Sequence, residues 1–194
     1  MGASYVADWQ QPSLPGFEVL NRGVGGEQTH EVLARFERDV LALQPDAVLI
    51  WGHINNVHRG GAERIDAVKQ AAIRDYQEMV QRARAANIEV ILATEVPLTE
   101  ALGWRDRLVV WINNMRGKRS YAAWVNEHVG SVNDWLRTFA AAEGIQLLDF
   151  AKAFDDGEGF RKPEYTTPDG THISPSGYAA LTSYTQRILR DRRR

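Results

Sequence analysis

The spacing of apolar and polar residues along the chain predicts two kinds of element. Residues 65–83 and 121–143 carry apolar side chains every three or four positions, which is typical of amphipathic helices. Residues 46–52 and 88–94 are nearly continuous apolar runs bounded by glycine or proline, which is typical of strands buried on both faces. The sequence therefore predicts helices alternating with buried strands.

Shorter patterns complete this alternation. They predict a strand at 17–21, a helix at 30–43, a strand at 145–150 and a last helix from residue 175. Thr29 is the expected N-cap of the helix at 30–43. Ser174 is the expected N-cap of the last helix, with Pro175 in its first turn. Each of these cap residues directly precedes a segment with the apolar spacing of a helix.

Strands that alternate with helices form a parallel sheet with helices on both faces, because each crossover is right-handed and covers the sheet. A Gly-Ala-Ser turn at 2–4 normally follows such a strand, but Met1 alone precedes it. We therefore expect the first strand to be absent from these residues, with Met1 an internal methionine at its end. A sheet edge exposed in this way favours a homo-oligomer, although the sequence leaves the oligomeric state open.

Composition narrows the class of protein. The 194 residues, of which 44% are hydrophobic and 25% charged, predict a single domain over 1–194. A net charge of −2 gives no electrostatic reason to expect nucleic acid as a partner, and no apolar run is long enough for a membrane span. The lack of cysteine excludes thiol catalysis and fits a reducing compartment. The location is left open, with the cytoplasm as the default and secretion as the alternative if the N-terminus is truncated.

The polar segments that follow the predicted strands contain the groups needed for acyl transfer. Ser4 is the candidate nucleophile, and His172 is the candidate base that takes its proton. Asp169 stands three residues before His172, a spacing that lets its carboxylate orient the imidazole. The backbone N–H groups of Ser4 and Gly26 and the side-chain amide of Asn55 are the candidate oxyanion donors. This chemistry predicts a small-molecule ester substrate and no cofactor.

Four motifs in this order resemble one known family. Gly-x-Ser near the start, "NRGVGGEQT", "GHINNV" and "DGTHISPSGY" are similar to the motifs of the SGNH (GDSL-type) hydrolases, and the resemblance spans essentially the whole chain. It implies a three-layer flavodoxin-like sandwich and a serine esterase or lipase activity. It also implies that Ser4 is the nucleophile, that His172 and Asp169 are its partners, and that Gly26 and Asn55 complete the oxyanion hole.

The chain departs from the family pattern at two motifs. Ala3 stands where the family usually has an aspartate beside the serine. Two residues lie between Gly52 and Asn55, and Asn56 occupies the position of a common acidic residue. These departures and the absent first strand keep open a non-catalytic binding or scaffold protein that retains the fold. A carbohydrate deacetylase or acyltransferase of the same fold is an alternative within the same chemistry.

A metallophosphoesterase is a third alternative, suggested by the motif "GHINN". His53 and His58 flank this segment and are conceivable metal ligands. It is disfavoured because no Asp-x-His pair and no carboxylate cluster at ligand spacing accompanies them. The sequence therefore predicts no metal site.

Residues 98–120 form the longest irregular segment and combine aromatic with basic residues. One interpretation is a lid or a wall of the substrate pocket, since the segment leaves the sheet on the side of the expected site. For most of the segment an amphipathic connecting helix with buried aromatic side chains is favoured instead, with one tryptophan facing the crevice. The aromatic residues of this segment and of the four residues after it are Trp104, Trp111, Tyr121 and Trp124.

Overall fold

A computed structural model of the protein describes residues 1–10, 12–100, 103 and 119–191. Most of the predicted lid at 98–120, including Trp104 and Trp111, therefore lies outside the described residues. Within the described part of the chain, no helix has the length and apolar character required to cross a membrane.

Three parallel strands form the central sheet, in the order β1, β2, β3. They are β1 (Ala47–Ile50), β2 (Glu89–Ala93) and β3 (Gln146–Leu148). Both pairings are parallel, as the alternation of elements predicts. The three strands predicted at 46–52, 88–94 and 145–150 are thus confirmed, with shorter bounds.

Eight α-helices surround this sheet in the described residues. They are α1 (Ser4–Asp8), α2 (Thr29–Ala34), α3 (Phe36–Asp39), α4 (Ile54–Gly60), α5 (Ile65–Ala85), α6 (Tyr121–Glu143), α7 (Phe150–Phe154) and α8 (Pro175–Asp191). Short 3₁₀ turns lie at Leu41–Leu43, Ala62–Arg64 and Pro163–Tyr165.

Each face of the sheet is covered by its own apolar core. Ile91 and Ala93 of β2 pack into the core that includes residues of α1, α7 and α8, whereas Val90 and Leu92 pack into the core that includes residues of α2 and α5. Successive side chains of a strand point to opposite faces, so this alternation places helices on both sides. The predicted α/β class, a parallel sheet flanked by helices on both faces, is confirmed.

The predicted strand at 17–21 is wrong. These residues form no ladder, and the nearest pairing is a single parallel bridge between Gly23 and Gly2, which in turn bridges Trp51. A strand forms hydrogen bonds to a neighbouring strand along its length, whereas the pairing found here among the described residues is two single bridges, from Gly2 to Gly23 and from Gly2 to Trp51. A groove lined mostly by apolar side chains instead separates residues 17–22 from β1.

The predicted helix at 30–43 is also corrected. It begins one residue earlier, and Gln28 rather than Thr29 is its N-cap, in a reciprocal capping box with Glu31. The helix breaks at Arg35 into α2, α3 and a 3₁₀ turn. The Arg35 guanidinium turns inward, where it donates to Asp39 and to the carbonyl oxygen of Gly2. By contrast, Ser174 caps α8 as predicted, since its hydroxyl accepts the N–H of Gly177.

Candidate active site

The five predicted site residues lie in loops or first helical turns. Ser4 is the first residue of α1, and Asn55 lies in the first turn of α4, just beyond the end of β1. Gly26 lies in the turn that precedes α2, and Asp169 and His172 lie in the loop that precedes α8. Carboxyl ends of parallel strands are where ligand sites of such sheets form.

Contacts of neighbouring residues bring these loops together. Tyr5, which follows Ser4, donates its hydroxyl to the Thr171 carbonyl at 2.7 Å, and Thr171 precedes His172. The Asn55 side chain donates to the Glu27 carbonyl at 2.9 Å, next to Gly26. The turn that holds Ser4 is therefore tied to the loop that holds His172, and the two predicted oxyanion segments are tied to each other.

The turn that holds Ser4 approaches the end of β1 very closely. A Cβ at Gly2 would overlap the carbonyl oxygen of Trp51, so glycine is required where the turn crosses the end of the strand. Ser4 itself is half-buried, and the described residues show no hydrogen bond from its hydroxyl to His172. Catalytic hydrogen bonds of this kind often tighten only when substrate is bound.

Asp169 and His172 form a closely coupled pair. The carboxylate Oδ2 lies 2.7 Å from His172 Nδ1, while Oδ1 accepts the backbone N–H groups of His172 and Thr171. These donors hold the pKa of Asp169 well below its ordinary range, so the carboxylate stays ionised. An ionised Asp169 fixes the proton on Nδ1 and leaves Nε2 as the ring nitrogen that can accept a proton.

The predicted oxyanion donors have unused N–H groups. Asn55 uses one of its two amide hydrogens on Glu27, and the second has no acceptor among the described residues. The backbone N–H groups of Ser4 and Gly26 likewise have no acceptor in the part of the chain that the structure describes. Gly26 has a φ of 80°, and a Cβ there would lie 3.1 Å from the Arg59 guanidinium, so the turn favours glycine.

Asn56 differs from its neighbour in every contact. It is buried, its Oδ1 accepts the Thr29 N–H at 3.0 Å, and its Nδ2 donates to the Thr29 hydroxyl at 2.8 Å. Both ends of its amide are therefore occupied in anchoring the start of α2. Asn55 is the partly exposed member of the pair and the one with a free donor.

Glu95, a buried carboxylate just beyond β2, is not among the site residues that the sequence predicts. Its Oε2 accepts the N–H groups of His53 and Ile54 at 2.7 and 3.2 Å, at the start of the helix that carries Asn55. Burial raises the pKa of Glu95 to about 7. The available signal was a carboxylate that directly follows the apolar run of a buried strand. The side-chain amide of Asn133 on α6 accepts the backbone N–H of Glu95 and donates to the backbone carbonyl of Glu95.

The two histidines considered as metal ligands have other partners. His53 is buried, with its ring nitrogens 3.3 Å from the Tyr76 hydroxyl and from the Val129 carbonyl, and burial lowers its pKa to about 4. His58 Nδ1 lies 2.7 Å from the Tyr121 hydroxyl. Among the residues that the structure describes, no group of three or more His, Asp or Glu side chains is placed to hold a metal ion.

Fold and candidate site together are typical of an α/β ester hydrolase, with a serine, an amide donor and an Asp–His pair on connected loops. The chain belongs to the GDSL-like lipase/acylhydrolase family, whose model matches residues 1–180. This membership supports an ester-hydrolysing enzyme.

Two individual relatives match most of the chain. The chain is similar to a GDSL-like lipase from Bacteroides thetaiotaomicron, with a TM-score of 0.72, 25% identity, and coverage of 98% of this chain and 86% of that one. It is 24% identical over 169 residues to the uncharacterized lipoprotein YqeF of Bacillus subtilis, covering 82% of this chain and 68% of that protein.

A third relative is matched over a shorter segment. The chain is 40% identical over 58 residues to an acetylxylan esterase of Geobacillus stearothermophilus. This match covers 29% of the chain and 26% of that protein, so it spans about a quarter of the esterase.

Proposed function

We propose that the protein is a serine esterase that hydrolyses short acyl or acetyl esters through an acyl-enzyme intermediate, without a cofactor. The observation that carries the proposal is the 2.7 Å contact between Asp169 and His172, in a loop that is hydrogen-bonded to the residue after Ser4. A positioned histidine next to a serine turn is the arrangement that converts a weak hydroxyl nucleophile into a reactive one.

In the proposed first step, the Ser4 hydroxyl attacks the ester carbonyl carbon and transfers its proton to Nε2 of His172. Asp169 remains ionised and stabilises the imidazolium that forms. The oxyanion accepts hydrogen bonds from the Ser4 and Gly26 backbone N–H groups and from the Asn55 amide, which need no reorganisation when charge develops. Collapse of the intermediate expels the alcohol, which takes the proton from His172.

In the second step, water attacks the acyl group on Ser4. His172 accepts a proton from this water and returns it to the serine oxygen as the acid leaves. Electrons and protons balance over the two steps with no redox partner. Hydrolysis therefore consumes one water and yields one acid and one alcohol.

An acetylated carbohydrate is the second candidate substrate. The observation that favours it is the 40% identity to the acetylxylan esterase, which covers a short segment of both chains. A carbohydrate deacetylase would use the same residues and differ in the alcohol that it binds. Transfer of the acyl group to an alcohol other than water is the corresponding acyltransferase reaction.

A series of p-nitrophenyl esters of increasing acyl length tests the proposal, together with acetylated xylo-oligosaccharides. We expect the highest kcat/KM with the acetyl ester, and we expect Ser4→Ala to lower kcat by roughly a thousandfold or more. The Ser4 hydroxyl has no hydrogen-bond partner in the described residues, so the melting temperature should stay unchanged. Ser131→Ala, an exposed serine of α6, is the matched control. A Ser4→Ala variant that keeps more than a third of the rate contradicts the proposal.

A further inference from the structure

Arg161 is a fully buried cation that the proposed mechanism does not use. Its Nη2 donates to the Thr171 carbonyl at 2.6 Å, and its Nε donates to the Thr166 hydroxyl at 3.1 Å. Moving a guanidinium out of water is costly unless its hydrogen bonds are replaced. The side chain is therefore held inside the protein at a cost that an apolar side chain of similar size would avoid.

Tyr5 donates to the same carbonyl oxygen as Arg161 does. The Tyr5 hydroxyl lies 2.7 Å from the Thr171 oxygen, and the Arg161 guanidinium lies 5.7 Å from the centre of the Tyr5 ring. Both lone pairs of one carbonyl are thus occupied by buried donors. Since Tyr5 follows Ser4 and Thr171 precedes His172, this oxygen is the point where the nucleophile helix and the base loop are joined.

We propose that Arg161 and Tyr5 are positioning residues, which hold the Thr171 carbonyl between them and so set the placement of His172 relative to the Ser4 hydroxyl. The inference rests on the proposed function, because it assigns these residues to the same reaction. Neither side chain needs to contact substrate. Their effect passes through the backbone of the base loop.

The shape of the arginine side chain suits this role. Its planar fork reaches Thr166 and Thr171 at once, and these residues lie near the two ends of the loop that contains Asp169. The loop is closed by an antiparallel bridge between Thr166 and Ile173. A lysine would supply one charged point instead of a fork, so it can hold one end of the loop but not both.

The first test is the kinetics of Arg161 variants of the full chain on p-nitrophenyl acetate. We expect Arg161→Met to lower kcat roughly tenfold to a hundredfold, as a misplaced catalytic group does, with KM changed less than about threefold. Arg161→Lys should recover part of the lost kcat. Arg137→Met is the control, because it removes an arginine that holds Asp149, the N-cap residue of α7, and this variant is expected to keep its kcat.

Tyr5→Phe is the second variant and removes one donor while it keeps the ring. We expect a smaller loss of kcat, about threefold to tenfold, because Arg161 still binds the carbonyl. Tyr165→Phe is its control, since the Tyr165 hydroxyl has no hydrogen-bond partner in the described part of the chain. If Arg161→Met fails to fold, Tyr5→Phe decides the question.

Covalent labelling of Ser4 by a serine-directed phosphonate separates this inference from the proposed function. We expect the wild-type protein to be labelled and Arg161→Met to be labelled more slowly by a factor similar to its loss of kcat. A labelled wild type with Arg161→Met and Tyr5→Phe both within about threefold of its kcat overturns the inference alone. The inference alone is also overturned if the fractional loss of kcat in Arg161→Met equals the fraction of that variant that is unfolded. A wild type that is not labelled overturns the proposed function and the inference with it.

Discussion

The oxyanion half of the candidate site and the base half are held by different kinds of contact. Asn55 lies on α4, whose first N–H groups are bound by the buried carboxylate of Glu95. Asp169 and His172 are about half exposed, and most of their hydrogen bonds stay within the loop 167–172. One half is therefore built into the core, whereas the other is ordered locally and joined to the core through the Thr171 carbonyl.

This difference predicts how substitutions in the two halves should behave. Exposed groups with local hydrogen bonds contribute little to global stability, so changes in the base loop should affect catalysis with little effect on folding. Buried amides and carboxylates leave unsatisfied partners when they are removed, so changes to the buried groups around α4, unlike a change to the partly exposed Asn55, should affect stability. Activity and stability, measured in the same variants, should therefore distinguish the two halves.

The largest effect is expected in the base half, from His172→Gln. Without a base for the serine proton, kcat should fall roughly a hundredfold to ten-thousandfold. Because the side chain is half exposed, the melting temperature should change little. Steady-state hydrolysis of p-nitrophenyl acetate and thermal unfolding measure the two quantities. His30→Gln, at an exposed histidine of α2, is the control, and a loss below tenfold in His172→Gln would contradict the assigned role.

The adjacent asparagines give the next largest effect and a matched pair. Asn55→Ala should lower kcat roughly a hundredfold to a thousandfold through loss of an oxyanion donor, with little change in stability. Asn56→Ala should cost about 1–3 kcal/mol in the free energy of unfolding, because the buried Thr29 N–H loses its acceptor. Urea unfolding and kcat of both variants test this division. A loss under threefold in Asn55→Ala refutes its role as a donor.

The pH dependence of stability tests the buried groups that hold α4 without involving catalysis. Burial raises the pKa of Glu95 from 4.5 to about 7, so between these pH values the folded protein keeps a proton that the unfolded chain releases. The contribution of Glu95 to the free energy of unfolding is therefore present below pH 4.5 and falls as pH rises to 7, by on the order of 3 kcal/mol. Glu95→Gln cannot titrate and should remove this fall, as urea unfolding across this range would show.

His53→Gln is the counterpart with the opposite sign. Burial lowers the pKa of His53 from 6.5 to about 4, so the unfolded chain binds the extra proton in this window. Its contribution therefore rises with pH between 4 and 6.5, and the variant should remove that rise. A change of slope with the same sign in both variants would contradict the assignment of these two buried groups.

Local patterns predicted the sheet because each strand is a continuous apolar run with glycine or proline near its end. They failed at 17–21, since a β-rich run becomes a strand only where a neighbour supplies a ladder, and neighbours are not encoded locally. They also failed at the break of the helix at Arg35, which coincides with ion pairs to Glu27 and Asp39 and a bond to the Gly2 carbonyl. A contact between residues as far apart in sequence as Arg35 and Gly2 leaves no periodic signal.

The candidate site shows the same division. Asp169 and His172 are three residues apart, so their pairing was predictable from the sequence, and the structure places them 2.7 Å apart. Glu95 and Arg161 were missed because their partners lie on other elements, at residues 53 and 171 for example. For Glu95 the available signal was a carboxylate that directly follows the apolar run of a buried strand.

The proposed mechanism requires that Ser4 carries the acyl group during turnover. Rapid quenching of the reaction with p-nitrophenyl acetate, followed by mass spectrometry of the intact and digested protein, tests it most directly. The account predicts one acetyl group per chain on the peptide that contains Ser4, none in Ser4→Ala, and slower formation in His172→Gln. An acetyl group on a different residue, or continued ester hydrolysis by Ser4→Ala, would contradict it.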